Sequence, residues 1–164
     1  MKSSVFNVPC SIALLSLLLF SGCGNQDPRP DLQTVEGILT INGEPATGAV
    51  MVFYPADGEE FDSRGTRPRA KVDEKGHFQL TTYQHGDGAP AGEYQVGILW
   101  FDNPNSDKPW NKLGKKYSIP QDSEITITVE EGNNQLTPIE LENVQLTKRP
   151  VRKRKTQDAD QLDE

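Results

Sequence analysis

Few side chains in this sequence are suited to nucleophilic, acid–base or metal chemistry. The 164 residues include two cysteines, Cys10 and Cys23, and two histidines, His77 and His85. His77 falls on the polar face of an alternating run and His85 falls in a predicted turn, so we expect both imidazoles to be solvated. Nucleophilic serines and metal sites need partner groups at recognisable spacings, which are absent from the sequence. The sequence therefore predicts no catalytic residue, no cofactor and no metal site, and we expect no enzymatic activity.

Aromatic and basic side chains are the best candidates for a binding site. Trp100 ends a predicted strand, and Trp110 and Tyr117 fall in or beside the lysines of the following loop, residues 102–120. Loops of this length are uncommon unless they are functional or unstructured. Sugars stack on aromatic rings, and lysines pair with anionic polymers. The three aromatics are therefore a candidate ligand contact, and their alternative role is to cap the core.

Acidic and amide side chains, which are calcium ligands, are concentrated in two loops. One cluster spans residues 57–62 and the other spans residues 102–107. Neither cluster has the spacing of a known calcium loop, and acidic clusters in loops are usually solvated. Carbohydrate or calcium binding by loop 102–120 is the alternative to a purely structural role.

The first residues have the pattern of an export signal. Lys2 provides a positive charge, and residues 12–20 form an apolar run that only Ser16 interrupts. This run is too short to cross a bilayer, since a spanning helix needs about 20 residues. It is typical of the hydrophobic region of a signal peptide.

The residues that end this run, Phe20-Ser21-Gly22-Cys23, resemble the lipobox of bacterial lipoproteins, although Phe20 replaces the usual aliphatic residue. The resemblance implies cleavage before Cys23 and attachment of lipid, including palmitate-type acyl chains, to that residue. Each buried CH₂ group of such a chain stabilises membrane attachment by about 0.8 kcal/mol, so several acyl chains form a stable anchor. We expect a cell-envelope lipoprotein, held outside the cytoplasm at the outer membrane or the outer face of the inner membrane. Because Cys10 would be removed and Cys23 acylated, no disulfide would stabilise the domain.

Length and composition fit one folded domain with non-core segments attached. The chain has 164 residues, hydrophobic residues make up 34 %, and the net charge is −7. A chain of this length supports one core, and its negative charge disfavours nucleic acid as a partner. The predicted division is a signal peptide (1–22), a tether that begins with the lipidated cysteine (23–32), a folded domain (33–146) and a disordered charged tail (147–164).

The folded domain shows short runs with period-two alternation, separated by clusters of Gly, Pro, Asn and Asp. This pattern is typical of an all-β sandwich, and we expect little helix. Seven strands are predicted, at residues 34–41, 49–54, 69–72, 77–82, 93–101 and 124–129 and in a last run that ends at residue 141. The side chains expected in the core are Val35, Leu39, Ile41, Val52, Phe78, Leu80, Tyr94, Val96, Ile98, Ile125, Ile127, Val129 and Leu141.

Several turn and strand motifs occur along residues 33–146. They are Val35-Glu36-Gly37, Asn42-Gly43-Glu44-Pro45, Asp73-Glu74-Lys75-Gly76-His77-Phe78, Thr81-Thr82-Tyr83, Gly86-Asp87-Gly88-Ala89-Pro90-Ala91-Gly92-Glu93-Tyr94 and Lys116-Tyr117. This set resembles small lipoproteins of planctomycete-type bacteria that carry a transthyretin-like or carboxypeptidase-regulatory-like β-sandwich. The resemblance implies a seven-strand transthyretin-like (prealbumin-like) sandwich and an envelope location, and it implies no reaction.

The tail has a basic half at residues 148–155 and an acidic half at residues 158–164. It has too few apolar residues to offset the entropy of ordering, which predicts disorder. In an exported protein such a basic run favours anionic head groups or acidic envelope polymers, and the alternative is a solvated tail that contacts neither. We expect a lipid-anchored structural or interaction module. Its expected partners are the membrane, through Cys23, and an envelope polysaccharide or another envelope protein.

Overall fold

The structure is a computed structural model that describes residues 29–150. In this range the chain forms short β-strands and a single four-residue helix, so the all-β prediction is confirmed. The strands are Leu32–Gln33 (β1), Val35–Ile41 (β2), Glu44–Pro45 (β3), Val50–Pro55 (β4), Arg69–Lys71 (β5), His77–Gln79 (β6), Ala89–Pro90 (β7), Gly92–Leu99 (β8), Thr126–Val129 (β9), Asn134–Gln135 (β10) and Ile139–Leu141 (β11), and the helix is Pro120–Ser123 (α1). The strands of three or more residues lie within the seven predicted runs, except that β4 ends one residue later, at Pro55, and β8 begins one residue earlier, at Gly92. The two-residue strands β1, β3, β7 and β10 were not predicted.

Two sheets form the sandwich-like body. In the first sheet β2 is central: one edge pairs antiparallel with β6 and β3, and the other pairs in parallel with β10 and β11. The second sheet has the order β5-β4-β8-β9 and is antiparallel throughout. The short β1–β7 pair joins the segments that directly precede β2 and β8.

The core lies between the sheets and follows the predicted alternation in most strands. Val35 and Leu39 of β2 and Val96 of β8 are completely buried. Tyr94 is also buried, and its hydroxyl donates a hydrogen bond of 2.7 Å to the Pro90 carbonyl oxygen. This hydrogen bond satisfies the buried hydroxyl, so the ring packs in the core without leaving a polar atom unpaired.

The prediction that Val52 is buried in the core was wrong. Val52 is half-buried, whereas its neighbours Met51 and Phe53 are completely buried. Every side chain from Val50 to Tyr54 is apolar or aromatic, so alternation carried no information about which face points inward. Three other predicted core residues are half-buried against the core because they lie on, or directly before, the edge strands β9 and β11; these are Ile125, Ile127 and Leu141.

The strand directions give the sandwich two distinct ends. Because the β1–β7 pair precedes both β2 and β8, these two long strands begin at the same end. We call this end the entry pole; it comprises residues 29–34, 56–68, 82–91 and 130–133. The opposite end, the loop pole, comprises residues 42–49, 73–76, 100–119 and 142–150. Since β11 runs parallel to β2, the chain enters at one pole and leaves β11 at the other.

Gly88 is required where the entry pole closes over β1. Its φ is +90°, and a Cβ there would lie 1.8 Å from the carbonyl oxygen of Gln33. Gly132 has a similar φ of +98°, but a Cβ there would meet nothing within 4 Å. A substitution at Gly132 therefore tests the cost of positive φ alone, whereas a substitution at Gly88 adds a steric clash with the backbone.

We predict that Gly88→Ala lowers the free energy of unfolding by more than about 3 kcal/mol, because the methyl group must displace backbone. Gly132→Ala should cost about 1–2 kcal/mol, from the left-handed conformation alone. Denaturant unfolding of the full chain measures both values. Equal losses in the two variants would show that the backbone approach at Gly88 is absent.

Candidate binding surface at the loop pole

The first part of the long loop is an ordered hairpin. Phe101 and Asn111 pair antiparallel. The Asp102 amide donates to the Trp110 carbonyl oxygen at 3.0 Å, and the Lys112 amide donates to the Trp100 carbonyl oxygen at 2.7 Å. These bonds place Trp100 and Trp110, two of the three candidate ligand contacts, on opposite arms of one hairpin.

Trp100 is engaged by the protein itself. Its indole N–H donates to the Thr47 carbonyl oxygen at 2.9 Å. The Lys112 ammonium nitrogen lies 3.2 Å from the centre of the Trp100 ring, a cation–π contact. Burial lowers the pKa of Lys112, and the charge of Asp102 opposes that shift. One face of Trp100 is therefore covered by an internal cation, which makes this residue a packing element of the hairpin.

Trp110 holds the segment that follows the last strand. Its indole N–H donates to the Thr147 hydroxyl oxygen at 3.0 Å. The Thr147 amide in turn donates to the Lys112 carbonyl oxygen at 2.7 Å, and the Thr147 hydroxyl donates to the Asn111 carbonyl oxygen at 2.9 Å. Trp110 remains half-buried, so part of its ring lies at the surface.

Tyr117, the third candidate contact, lies apart from the hairpin and beside β8. Its carbonyl oxygen accepts a hydrogen bond of 2.5 Å from the Ile98 amide, and its ring packs against the core. The Lys116 ammonium nitrogen lies 5.4 Å from the centre of the Tyr117 ring. The structure thus places a lysine beside each of Trp100 and Tyr117, and it places Trp100 and Trp110 on the two arms of one hairpin.

An ion pair joins the hairpin to the C-terminal segment. The Arg149 Nε lies 3.3 Å from the Asp102 Oδ2, and its Nη2 donates to the Lys108 carbonyl oxygen at 2.7 Å. The Trp110 amide also donates to the Asp102 carboxylate, and this bond is the main reason why the pKa of Asp102 is lowered. Sequence patterns did not indicate the contact, because Arg149 lies within a charge block that has no local motif.

The predicted turn at Asn42-Gly43 also fixes this segment. Both residues have positive φ, 53° and 80°, as the dipeptide predicts. The Asn42 side chain donates to the Val144 carbonyl oxygen at 2.9 Å and accepts from the Val144 amide at 2.8 Å. Contacts of the domain thus continue past Leu146 as far as Arg149. Tail residues beyond Pro150 lie outside the described range.

A groove of about 960 Å³ lies where β5 and β6 separate, and both histidines line it. His77 and His85 are exposed. Two acids of the groove are used internally: Glu36 accepts from the Gln79 amide group at 3.2 Å, and Asp73 accepts from the His77 and Lys75 amides, which lowers the pKa of Asp73. Across residues 29–150 no three His, Cys, Asp or Glu side chains are grouped so that they could hold a metal ion.

Charge is distributed unevenly between the poles. Acids outnumber bases at the entry pole and in the strand ends beside it, where the acids are Asp31, Asp57, Glu59, Glu60, Asp62, Asp87, Glu93, Glu130 and Glu131. Bases outnumber acids in the long loop and the segment bound to it, where the bases are Lys108, Lys112, Lys115, Lys116, Lys148 and Arg149. The loop pole as a whole has seven bases and six acids, so its positive charge is concentrated in the long loop and the segment bound to it.

The predicted lipidation site, Cys23, lies outside the described residues. Within residues 29–150 the structure contains no helix of the length and apolarity that crossing a bilayer requires. No family model matches the chain, and no curated protein is significantly similar to it in sequence.

The lowered pKa of Asp102 predicts a pH dependence of stability. Because the folded-state pKa lies below the ordinary value of 3.8, ionised Asp102 stabilises the fold at neutral pH. This contribution disappears as the pH falls below about 4 and through the folded-state pKa. We expect Asp102→Asn to lower the melting temperature at pH 7, with a difference from wild type that shrinks toward pH 3. Thermal unfolding at several pH values measures it.

Asp107→Asn is the matched control, since Asp107 is an exposed acid of the same hairpin. This variant should keep the pH dependence of the wild type. A constant difference between wild type and Asp102→Asn from pH 7 to pH 3 would contradict the role of the Asp102 carboxylate.

Proposed function

We propose that this protein is a non-enzymatic, lipid-anchored protein of the cell envelope that acts as a structural or interaction module. The observation that carries the proposal is the sequence Phe20-Ser21-Gly22-Cys23 at the end of an apolar run too short to span a bilayer. Cleavage and acylation at Cys23 would leave a short tether before β1. The fold that we propose for the module is a transthyretin-like sandwich, in agreement with the positions of its seven longer strands.

The position of the tether supports an anchored arrangement. Residues 24–31 connect the proposed anchor to β1, and a chain of this length spans at most about 30 Å when fully extended. Arg29 is held against the domain, since its guanidinium carbon lies 4.6 Å from the centre of the Tyr83 ring. The folded domain would therefore sit close to the membrane, with the entry pole facing it.

Trp100 and Tyr117 both pack against the core, which favours a packing role over ligand contact for these two aromatics. All three aromatics are half-buried, but Trp110 differs because it lies beside basic residues and, unlike Trp100 and Tyr117, does not pack against the core. This observation favours carbohydrate binding at the long loop as the second candidate function. Calcium binding is not proposed, since the Asp102 carboxylate already accepts from Trp110 and pairs with Arg149.

We predict that Cys23→Ser abolishes incorporation of labelled fatty acid and moves the protein out of the membrane fraction or leaves its signal segment uncleaved. The reason is that the thioether bond to lipid requires the Cys23 thiol. Metabolic labelling and membrane fractionation of cells that express the full chain measure both effects.

Cys10→Ser provides the matched control, because Cys10 lies in the segment that cleavage would remove. That variant should be labelled like the wild type. Unchanged labelling and membrane partition of Cys23→Ser would overturn the proposed anchor.

A further inference from the structure

We infer that the loop pole is a docking surface for an acidic polysaccharide. Its contacts are four exposed lysines, Lys108, Lys115, Lys116 and Lys148, which we call the basic cluster. The inference deepens the proposed function, and it depends on the proposed anchor only for the orientation of this surface relative to the membrane.

The fold brings the basic cluster together from distant parts of the chain. Arg149 bonds to the Lys108 carbonyl oxygen, and Thr147 bonds to that of Lys112, so Lys148 is held between two attachment points on the hairpin. A Cβ at Gly114 would lie 3.4 Å from the Thr147 methyl group, which brings the following Lys115 close to the same segment. The ion pair between Asp102 and Arg149 therefore places lysines of the long loop and of the C-terminal segment on one surface.

The charges of the basic cluster are available to a ligand. Of the two acids in the hairpin, Asp102 is paired with Arg149 and Asp107 is exposed beside Lys108, so the four lysines of the basic cluster keep a net positive charge. Lys112 is occupied by the Trp100 ring. All four lysines of the basic cluster, by contrast, are exposed.

The acids of the entry pole are too distant to cancel the attraction of an anion to the basic cluster. The length of β2 alone separates the two poles by about 20 Å at roughly 3.3 Å per residue. The Debye length is about 10 Å at 0.1 M salt, so an anion at the loop pole is largely screened from the acids of the other end. Complementary charge at one end of the domain is enough to attract a polyanion there.

Two observations favour a polysaccharide over the anchoring bilayer as the occupant. The parallel pairing of β11 with β2 puts the loop pole at the end opposite the tether, so the basic cluster faces away from the membrane of the anchor. The half-buried ring of Trp110 lies beside the cluster and offers a surface on which a sugar ring packs. A chain of uronic acid residues combines these two chemistries.

The test measures binding of the full chain in a zwitterionic detergent to polygalacturonate, with neutral dextran as the uncharged polymer. We expect saturable binding of polygalacturonate and none of dextran. The variant K108Q/K115Q/K148Q should bind at least tenfold more weakly. The charge-preserving variant K108R/K115R/K148R should bind like the wild type, which separates loss of charge from loss of folding. Binding should weaken from 0.1 M to 1 M salt.

The matched control variant is R64Q/R69Q/K71Q, which removes three exposed cations outside the loop pole. It should bind like the wild type, and an equal loss in this variant would overturn the inference. Equal binding of dextran, or the absence of saturable binding to polygalacturonate, would also overturn it.

A second experiment tests lipid as the ligand. It measures binding of the full chain with Cys23→Ser to vesicles of phosphatidylcholine and phosphatidylglycerol. Tighter binding to these vesicles than to polygalacturonate, lost in the variant K108Q/K115Q/K148Q/C23S, would assign the surface to a bilayer and contradict the inference. Failure of the anchor is distinguishable, because it appears as lost lipid labelling in cells and leaves polygalacturonate binding in solution unchanged.

Discussion

The parallel pairing of β11 with β2 is the constraint on which the rest of the arrangement depends. β2 is bonded along both edges, and its pairing with Ile139–Leu141 fixes the direction in which the chain leaves the sheet. Antiparallel pairing would have returned the C-terminal segment to the entry pole. Because the two strands are parallel, that segment emerges beside the long loop, where Asn42 and Trp110 bind it. The direction of one edge strand thus decides which surfaces are neighbours.

This arrangement gives the two ends of the domain different chemistry without any cofactor. The entry pole gathers acidic loops around the start of the chain, whereas the loop pole combines aromatic residues with lysines. Internal contacts use Trp100, Lys112 and Asp102, and they leave the basic cluster and part of Trp110 at the surface. An anchored module with this arrangement would present its basic cluster to material outside the membrane to which it is attached.

The sequence predicted the features that rest on local patterns. Alternation located β2 and β8, and Asn42-Gly43 predicted its turn, because face and positive φ are set by neighbouring residues. Alternation could not orient β4, whose two faces are both apolar, and it overestimated burial in the edge strands. The pairing of Asp102 with Arg149 joins residues far apart in the chain, and single charges carry no information about such partners. The contact of Trp110 with Thr147 was beyond prediction for the same reason.

The most direct test of this account is a distance between the two ends of the domain, measured by double electron–electron resonance. Spin labels at Asp31 and Gln145, in a chain with Cys10 and Cys23 replaced by serine, would report the separation of the poles. Labels at Asp31 and Glu131 provide a control pair, since both positions lie at the entry pole. We expect a separation above about 20 Å for the first pair, because β2 alone rises by about that distance, and a shorter one for the control pair. A first-pair distance equal to or below that of the control would contradict the parallel pairing and the two-pole arrangement that follows from it.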